Sequence, residues 1–269
     1  MEKIINKPIV ETFGWLKVGG TKVTLPDRTI SKTIVLPKGA EQTLYFEDDG
    51  SLLSLSADLS EDASLTVVLV RHANAAEKCF SDLQVNCKEN AHFHVIRVIL
   101  GGQRSYDNFS VTLEGRGSSF QADIGYQLTG TEQYDINCEA IHLGKRTESN
   151  IRSLGVLSQN AEKLLRGTID FRTGCSGSVG GETEDVLLLD DTVVNKTVPT
   201  ILCTEEDVSG NHGATIGRPD EQVLNYMASR GIEEDVAIKL MARAKLDAVI
   251  EKIPDEDVKQ KIREENGWT

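Results

Sequence analysis

The chain of 269 residues has little positive charge: 29 Lys and Arg stand against 42 Asp and Glu, a formal net charge of −13. Such a balance repels a phosphate backbone and an anionic membrane surface alike, which argues against nucleic-acid binding. It has no apolar run of 18 residues, so a membrane-spanning helix is not expected. The opening stretch "MEKIINKPIVETFGW" carries Glu2, Pro8 and Glu11 where a secretory signal needs unbroken apolar sequence. A soluble cytoplasmic protein is the expectation. Five cysteines, at 79, 87, 138, 175 and 203, form no Cys-x-x-Cys pair, and an odd count suits a reducing compartment better than a disulfide framework. Their default role is that of buried small apolar residues, with Cys203 set apart below. There is no Gly-x-Ser-x-Gly elbow and no His-Glu-x-x-His helix, so nucleophilic and zinc-hydrolase chemistry lack support. "GCSGSVGG" (174–181) lacks the Gly-Lys-Ser/Thr ending of a phosphate-cradling loop and reads as a flexible corner.

Prolines number only six, and ahead of the C-terminal segment the Asn-Gly or Asp-Gly hairpin signal occurs once, at Asp49-Gly50. Yet the middle of the chain, from about 51 to 215, is a succession of short alternating or β-branched runs: "SLTVVLV", "HFHVIRVIL", "FQADIGYQL", "YDINCEAIHLG", "LLRGTIDF". That pattern predicts an all-β core. The spacing fits a sandwich, a barrel or a solenoid, and the scarcity of tight hairpins leans towards the solenoid.

The C-terminal part differs in kind. In "SGNHGATIGRPDEQVLNYMASRGI" (209–232) a glycine-rich loop runs into a helix with Pro219 at its first turn, Asp220 and Glu221 at its positive end and Gly231 just past its close. "IEEDVAIKLMARAKLDAVIEKI" repeats the pattern until Pro254 stops it. Residues 219–253 are expected to form a helical hairpin, with a marginal helix or tail after it. The division expected is an N-terminal segment (1–60) leading into the core, a core domain (61–217) and a C-terminal helical domain (218–269). Tyr226, Met227 and Met241 are side chains that adapt or anchor well at interfaces.

The remaining candidates for chemistry are histidines, carboxylates and one thiol. His92 and His94 share a strand face as in metal-binding cupins, but Val95 to Leu100 supply no glutamate, only Arg97; exposed strand histidines are expected. A cupin-like metal enzyme is the reading that this expectation disfavours. His72 and His142 show no carboxylate or thiol placed as a partner in the sequence. Adjacent pairs such as Glu205-Glu206 and Asp190-Asp191 point to opposite faces of a strand and read as solvated surface. His212 is flanked by Gly210, Gly213 and Ala214 and has little local bulk to pack against, so another molecule can reach it. Cys203 lies nine residues earlier across an acidic corner. Thiolate plus imidazole suits iron or an iron–sulfur cluster, but two ligands do not complete a site.

"GTIDF" (167–171), "DVLLLDDTVVNKTVPTI" (185–201), "HLGKRTESNIRSLGVL" (142–157) and above all "SGNHGATIGRPDEQVLNYMASRGI" resemble the SufB/SufD family of iron–sulfur cluster assembly proteins, more closely its SufD side. The resemblance spans about 60–253 and is most specific over 164–232. It implies a right-handed parallel β-helix with a C-terminal helical segment, and a non-enzymatic scaffold subunit. It further implies pairing with a second SufB/SufD-type chain through the β-helix, and binding of an ABC-type ATPase, SufC, through the C-terminal helices. The partner-facing residues would be Val223, Tyr226, Met227, Arg230 and Met241. His212 matches the interfacial histidine, a proposed ligand of a transient iron–sulfur cluster, with Cys203 as a second candidate. The cysteine of SufB-type members falls here on Val193, and the glutamate after their histidine is Gly213. The chain is therefore either the SufD-like half of a heteromeric scaffold or a compact homodimer that uses Cys203. The alternative is a β-helix carbohydrate-binding protein or enzyme, which needs a ladder of carboxylates or aromatics on an exposed face. With aromatics at 5% no such ladder is apparent in the sequence.

Overall fold

The computed structural model describes residues 2–10, 14–72 and 77–268. A short antiparallel pair, β1 (Glu2–Ile5) and β2 (Thr21–Thr24), precedes fourteen strands that wind alternately into two sheets. The odd strands are β3 (Thr29–Leu36), β5 (Leu52–Leu59), β7 (Lys78–Cys87), β9 (Arg104–Leu113), β11 (Gln133–His142), β13 (Glu162–Phe171) and β15 (Val194–Cys203). The even strands are β4 (Glu41–Glu47), β6 (Ser64–Arg71), β8 (His92–Ile99), β10 (Ser119–Leu128), β12 (Glu148–Leu157), β14 (Ser178–Leu188) and β16 (Val208–Gly217). Each set forms a seven-stranded sheet in sequence order, and every neighbouring pair runs parallel. This is the expected solenoid. The step between coils is 29 residues from Asn108 to Asn137 and 31 from Thr147 to Ser178.

Alternation makes the core. In β11, Tyr134, Ile136, Cys138 and Ala140 point inward, and the same parity in its neighbours stacks like on like. Phe93 and Phe120 are register partners whose rings lie 5.7 Å apart at 9°. One apolar cluster runs from Leu36 to Val186. Cys79, Cys87, Cys138 and Cys175 are buried and Cys203 is exposed.

The rarity of hairpins has a structural cause. One column of corners is built from left-handed residues, with Asp62, Asn90 and Arg146 at φ 59°, 51° and 54° and Gly39 and Gly117 in the same column. Each amide bonds into the next coil: Asp62 to the Glu89 carbonyl, Asn90 to Arg116 and Gly117 to Lys145. Asn and Asp tolerate this backbone. Gly117 also needs its missing side chain, because a Cβ there would lie 2.6 Å from Asn90 Oδ1. Asp49-Gly50 joins β4 to β5 as a coil corner, its Oδ1 accepting the Ser51 amide at 3.0 Å. "GCSGSVGG" divides: 174–177 turn the corner and the rest opens β14.

Two boundaries differ from those read in the sequence. The first coil is β3 and β4, upstream of residue 61, and its strands are mostly exposed because no earlier coil covers them. The tail after Pro254 is a full helix. Beyond α1 (Glu221–Ser229) and α2 (Glu234–Ile250), α3 (Glu256–Glu265) starts on Asp255, whose carboxylate accepts the Asp257 and Val258 amides. Ile262 anchors it in full burial.

The helices lie along the solenoid. α2 crosses β8, β10 and β12 on the outer face of the even sheet. Its Val249 comes so close to Gly125 that a Cβ there would meet it at 3.1 Å. Leu246, Val249, Ile250, Ile253 and Ile262 bury against Val68, Ile96, Val98 and Val156; each full burial contributes roughly 1.5–3 kcal/mol. The N-terminal segment covers the odd sheet. Arg166 reaches through it, donating to the Val18 carbonyl at 2.7 Å and to Asp135 at 2.7 Å. Asn6 donates to the same carboxylate at 2.7 Å. Among the described residues no helix is long and apolar enough to cross a membrane.

Candidate functional site

The uncovered part of the solenoid is its last coil. β15 and β16 are the edge strands of their sheets, and between its half-buried ends every residue of β16 is exposed. The glycine-rich sequence permits this close end packing: a Cβ on Gly210 would meet Phe171 at 3.0 Å and Ile201 at 3.3 Å. Position 210 therefore points into the coil, and by strand alternation so does 212. His212 is exposed only because no further coil covers it, and it makes no hydrogen bond or ion pair among the described residues.

Directly beneath it in register is Glu182 on β14. This carboxyl is 3% exposed. Burial, with the neighbouring Glu184 charge, pushes it up to about 7 against the pull of Lys163. Gly167 makes the room, since any side chain there would strike the Glu182 carboxylate. Deeper in, Lys163 is ion-paired to Glu184 and donates to Thr197 Oγ1 at 2.8 Å; burial lowers its pKa and Glu184 opposes the shift. The end of the lumen is thus polar and holds an acid that exchanges protons near neutrality. "GGETED" hides this, because acidic residues in such a run read as surface. Their spacing of two, which places Glu182 and Glu184 on one inward face, is the signal that could have found them.

Cys203 ends β15 and is exposed, its Sγ donating to the Glu205 carbonyl at 3.0 Å. Because Gly210 faces Ile201 across the coil, successive inward positions carry Cys203 towards the corner and His212 away from it. The fold does not bring the two together. Cys175, buried in that corner, is pushed up mainly by burial, with Cys203 a lesser contributor. Among the described residues no three His, Cys, Asp or Glu side chains gather as a metal set.

Of the other histidines, His72 has the carboxylate partner that the sequence did not reveal, its Nδ1 lying 2.6 Å from Glu265 Oε2 of α3, and the rest are held by the sheets. His92 Nδ1 lies 2.7 Å from Ser119 Oγ, and His94 Nε2 lies 2.9 Å from Asp123 Oδ2. His142 is buried between Thr147 and Ser149, and burial lowers it to about 4. Val193 is half-buried against the main core, and Gly213 borders open space.

α1 has no buried residue. Val223 and Tyr226 are 40% and 60% exposed, and the Arg230 guanidinium sits over the Tyr226 ring at 5.3 Å. Met227 is half-exposed. Met241 instead packs against the helix–sheet cluster, while Val236 and Leu240 of α2 are exposed. The surface that a partner can reach is therefore α1 with Val236 and Leu240.

A parallel solenoid of two seven-stranded sheets, flanked by helices along one sheet and ending in an uncovered coil with a bare imidazole, defines the class. The chain belongs to the SufBD family: the family model described as "SUF system FeS cluster assembly, SufBD core domain" matches residues 30–245. It is similar to the iron–sulfur cluster assembly protein SufD of Bacillus subtilis, 29% identical over 163 residues, 61% of this chain and 34% of the relative. It is 26% identical over 171 residues to SufB of the same organism, covering 63% and 37%. A SufBD family protein of Mycobacterium tuberculosis is 31% identical over 134 residues, 49% of this chain and 16% of the relative. The chain thus spans about a third of the length of the Bacillus relatives that it matches.

Proposed function

We propose that this chain is a non-enzymatic, cytoplasmic scaffold subunit for iron–sulfur cluster assembly. It pairs through its last coil with a second SufB/SufD-type chain and receives an ABC-type ATPase of the SufC kind on α1 and the exposed side of α2. The observation that carries the reading is the last coil itself. Open sheet edges are a liability that proteins cover, and here β15 and β16 expose Val194, Ile201 and Ile216 beside an unpartnered imidazole. A transient cluster held by His212 needs further ligands from the paired chain, since no set of three gathers among the described residues. Cys203 supplies one only if pairing brings the two corners together.

Size-exclusion chromatography with mass measurement, on the chain alone and mixed with its ATPase and a SufB-type chain, tests both contacts. Ile201→Lys with Ile216→Lys should abolish pairing. Val223→Asp with Tyr226→Asp should abolish ATPase association and leave pairing intact. Deleting all of 219–269 is a poorer test, because it strips Val68, Ile96 and Val98 of their cover. Full ATPase binding by the α1 variant would refute the docking surface, and undiminished pairing by the edge variant would refute the role of the last coil.

A further inference from the structure

We propose that the cleft between β1 and the outer face of the odd sheet binds a small neutral polyol, a ligand of monosaccharide size. The site is independent of the last coil. Three side chains in register form a ladder across β7, β9 and β11: Asp82, Asn108 and Asn137. Asn108 Nδ2 donates to Asp82 Oδ1 at 2.9 Å, and Asn137 Nδ2 donates to Asn108 Oδ1 at 2.9 Å. Gln84 Nε2 adds a second donor to Asp82 at 2.9 Å. Each amide spends one of its two N–H groups on the ladder, so the row keeps donors as well as acceptor oxygens for a ligand.

Asn137 Oδ1 shows this most plainly. Asn137 is 2% exposed, and its Oδ1 is buried without a hydrogen-bond partner. A buried acceptor left unmade is costly, and here it belongs to a residue that lines a cavity of about 330 Å³. That volume lies at the lower end of the small-molecule range of roughly 300–1,000 Å³. Glu139, the next outward position on β11, adds a second acceptor group. Burial pushes its carboxyl up, against hydrogen bonds from Asn137 and Ser110 that pull it down. On the sheet face beside the ladder Phe80 stacks on Tyr106 at 4.9 Å and 12°, and the opposite wall, from the N-terminal segment, is apolar at Ile5 and Leu25. Lys3 and Lys7 on the same wall repel an ammonium ion. A molecule bearing several hydroxyl donors on a compact ring meets all of these conditions.

The test is titration of the full chain with D-glucose, D-galactose and D-mannose at millimolar concentrations, with choline as the cationic comparison, followed by amide-correlated NMR. At least one sugar should shift the side-chain amide resonances of Asn108 and Asn137 saturably. Glu139→Gln, which keeps the shape and replaces one acceptor oxygen by a donor, should weaken binding about tenfold, as for loss of one charged hydrogen bond. Asn137→Ala should weaken it likewise, with circular dichroism and melting used to establish that each variant is folded. Three outcomes overturn the proposal: no saturable shift with any of the sugars, shifts with choline in their place, or sugar binding unchanged in both folded variants.

Discussion

Glu182 and His212 are register partners on the two last strands of the even sheet, one sealed inside the coil and the other open to solvent. The pair places a carboxyl that titrates near pH 7 immediately behind an imidazole that a partner can reach.

Glu182 should make the fold more stable in mild acid than in mild base. Its folded pKa, about 7, is raised from 4.5. Between those values the folded state keeps the proton and the unfolded state has lost it, so stability falls as pH rises through that interval, and the deficit is complete above 7. A shift of this size corresponds to up to about 3 kcal/mol. Glu182→Gln should remove this contribution, so that stability no longer falls as pH rises through 7, and raise the denaturation midpoint at pH 8. Denaturant titrations from pH 4 to 9 check it, and an unchanged slope in the variant refutes the assignment.

His142 should act in the opposite sense. Burial lowers it from 6.5 to about 4, so between those values only the unfolded state takes up the proton, and stability falls as pH drops. In the parent chain this slope opposes that of Glu182 where the intervals overlap. Glu182→Gln should therefore unmask acid sensitivity below pH 6.5, and the double variant with His142→Gln should lose it again.

His212→Ala should change folding free energy by no more than about 1 kcal/mol, as for ordinary surface substitutions, since the ring makes no polar contact among the described residues. Reconstitution with iron and sulfide, anaerobically and with both partners present, should yield far less cluster absorbance. Equal absorbance would remove His212 as a ligand. A silent Cys203→Ser would remove the homodimer that uses this thiol and leave the thiolate to a SufB-type partner.

Ile262→Ala should cost about 2–5 kcal/mol, the range for truncating a buried isoleucine, because α3 docks through that side chain. A loss below 1 kcal/mol would mean that α3 is dispensable to the fold. Calorimetric melting resolves the two.

Much of the solenoid was legible because alternation in strands such as "YDINCEAIHLG" reports burial directly, and because so few hairpin turns leave stacked corners as the way to connect the strands. The first coil was not. In "TISKTIVL" only Leu36 is buried, for no coil precedes it, so the alternation that marks a strand elsewhere is missing. The helix stops at Gly231 and Pro254 read correctly, since capping is local chemistry, but the first start was set too early: Pro219 lies ahead of the helix and Asp220 is its N-cap. α3 read only as a marginal helix or tail, because it docks through just two apolar residues, Val258 and Ile262, in an otherwise charged run. At the site, bare His212 was visible through its glycines. Glu182 was not, since the sequence contains no statement that Gly167 stands opposite it. The ladder of Asp82, Asn108 and Asn137 was invisible for a similar reason: its rungs are 26 and 29 residues apart, and unequal steps defeat a search for repeats.

α2 lies across β8, β10 and β12 like a splint, tying three consecutive coils into one rigid block. Coils in a solenoid otherwise lean only on their neighbours and can melt one by one from an end. Nothing helical braces β15 and β16, so their amides should exchange with solvent far sooner than those beneath the splint. The protein is therefore stiff along its middle and loose at its tip, and a second chain that seats on the tip would find backbone still able to adjust.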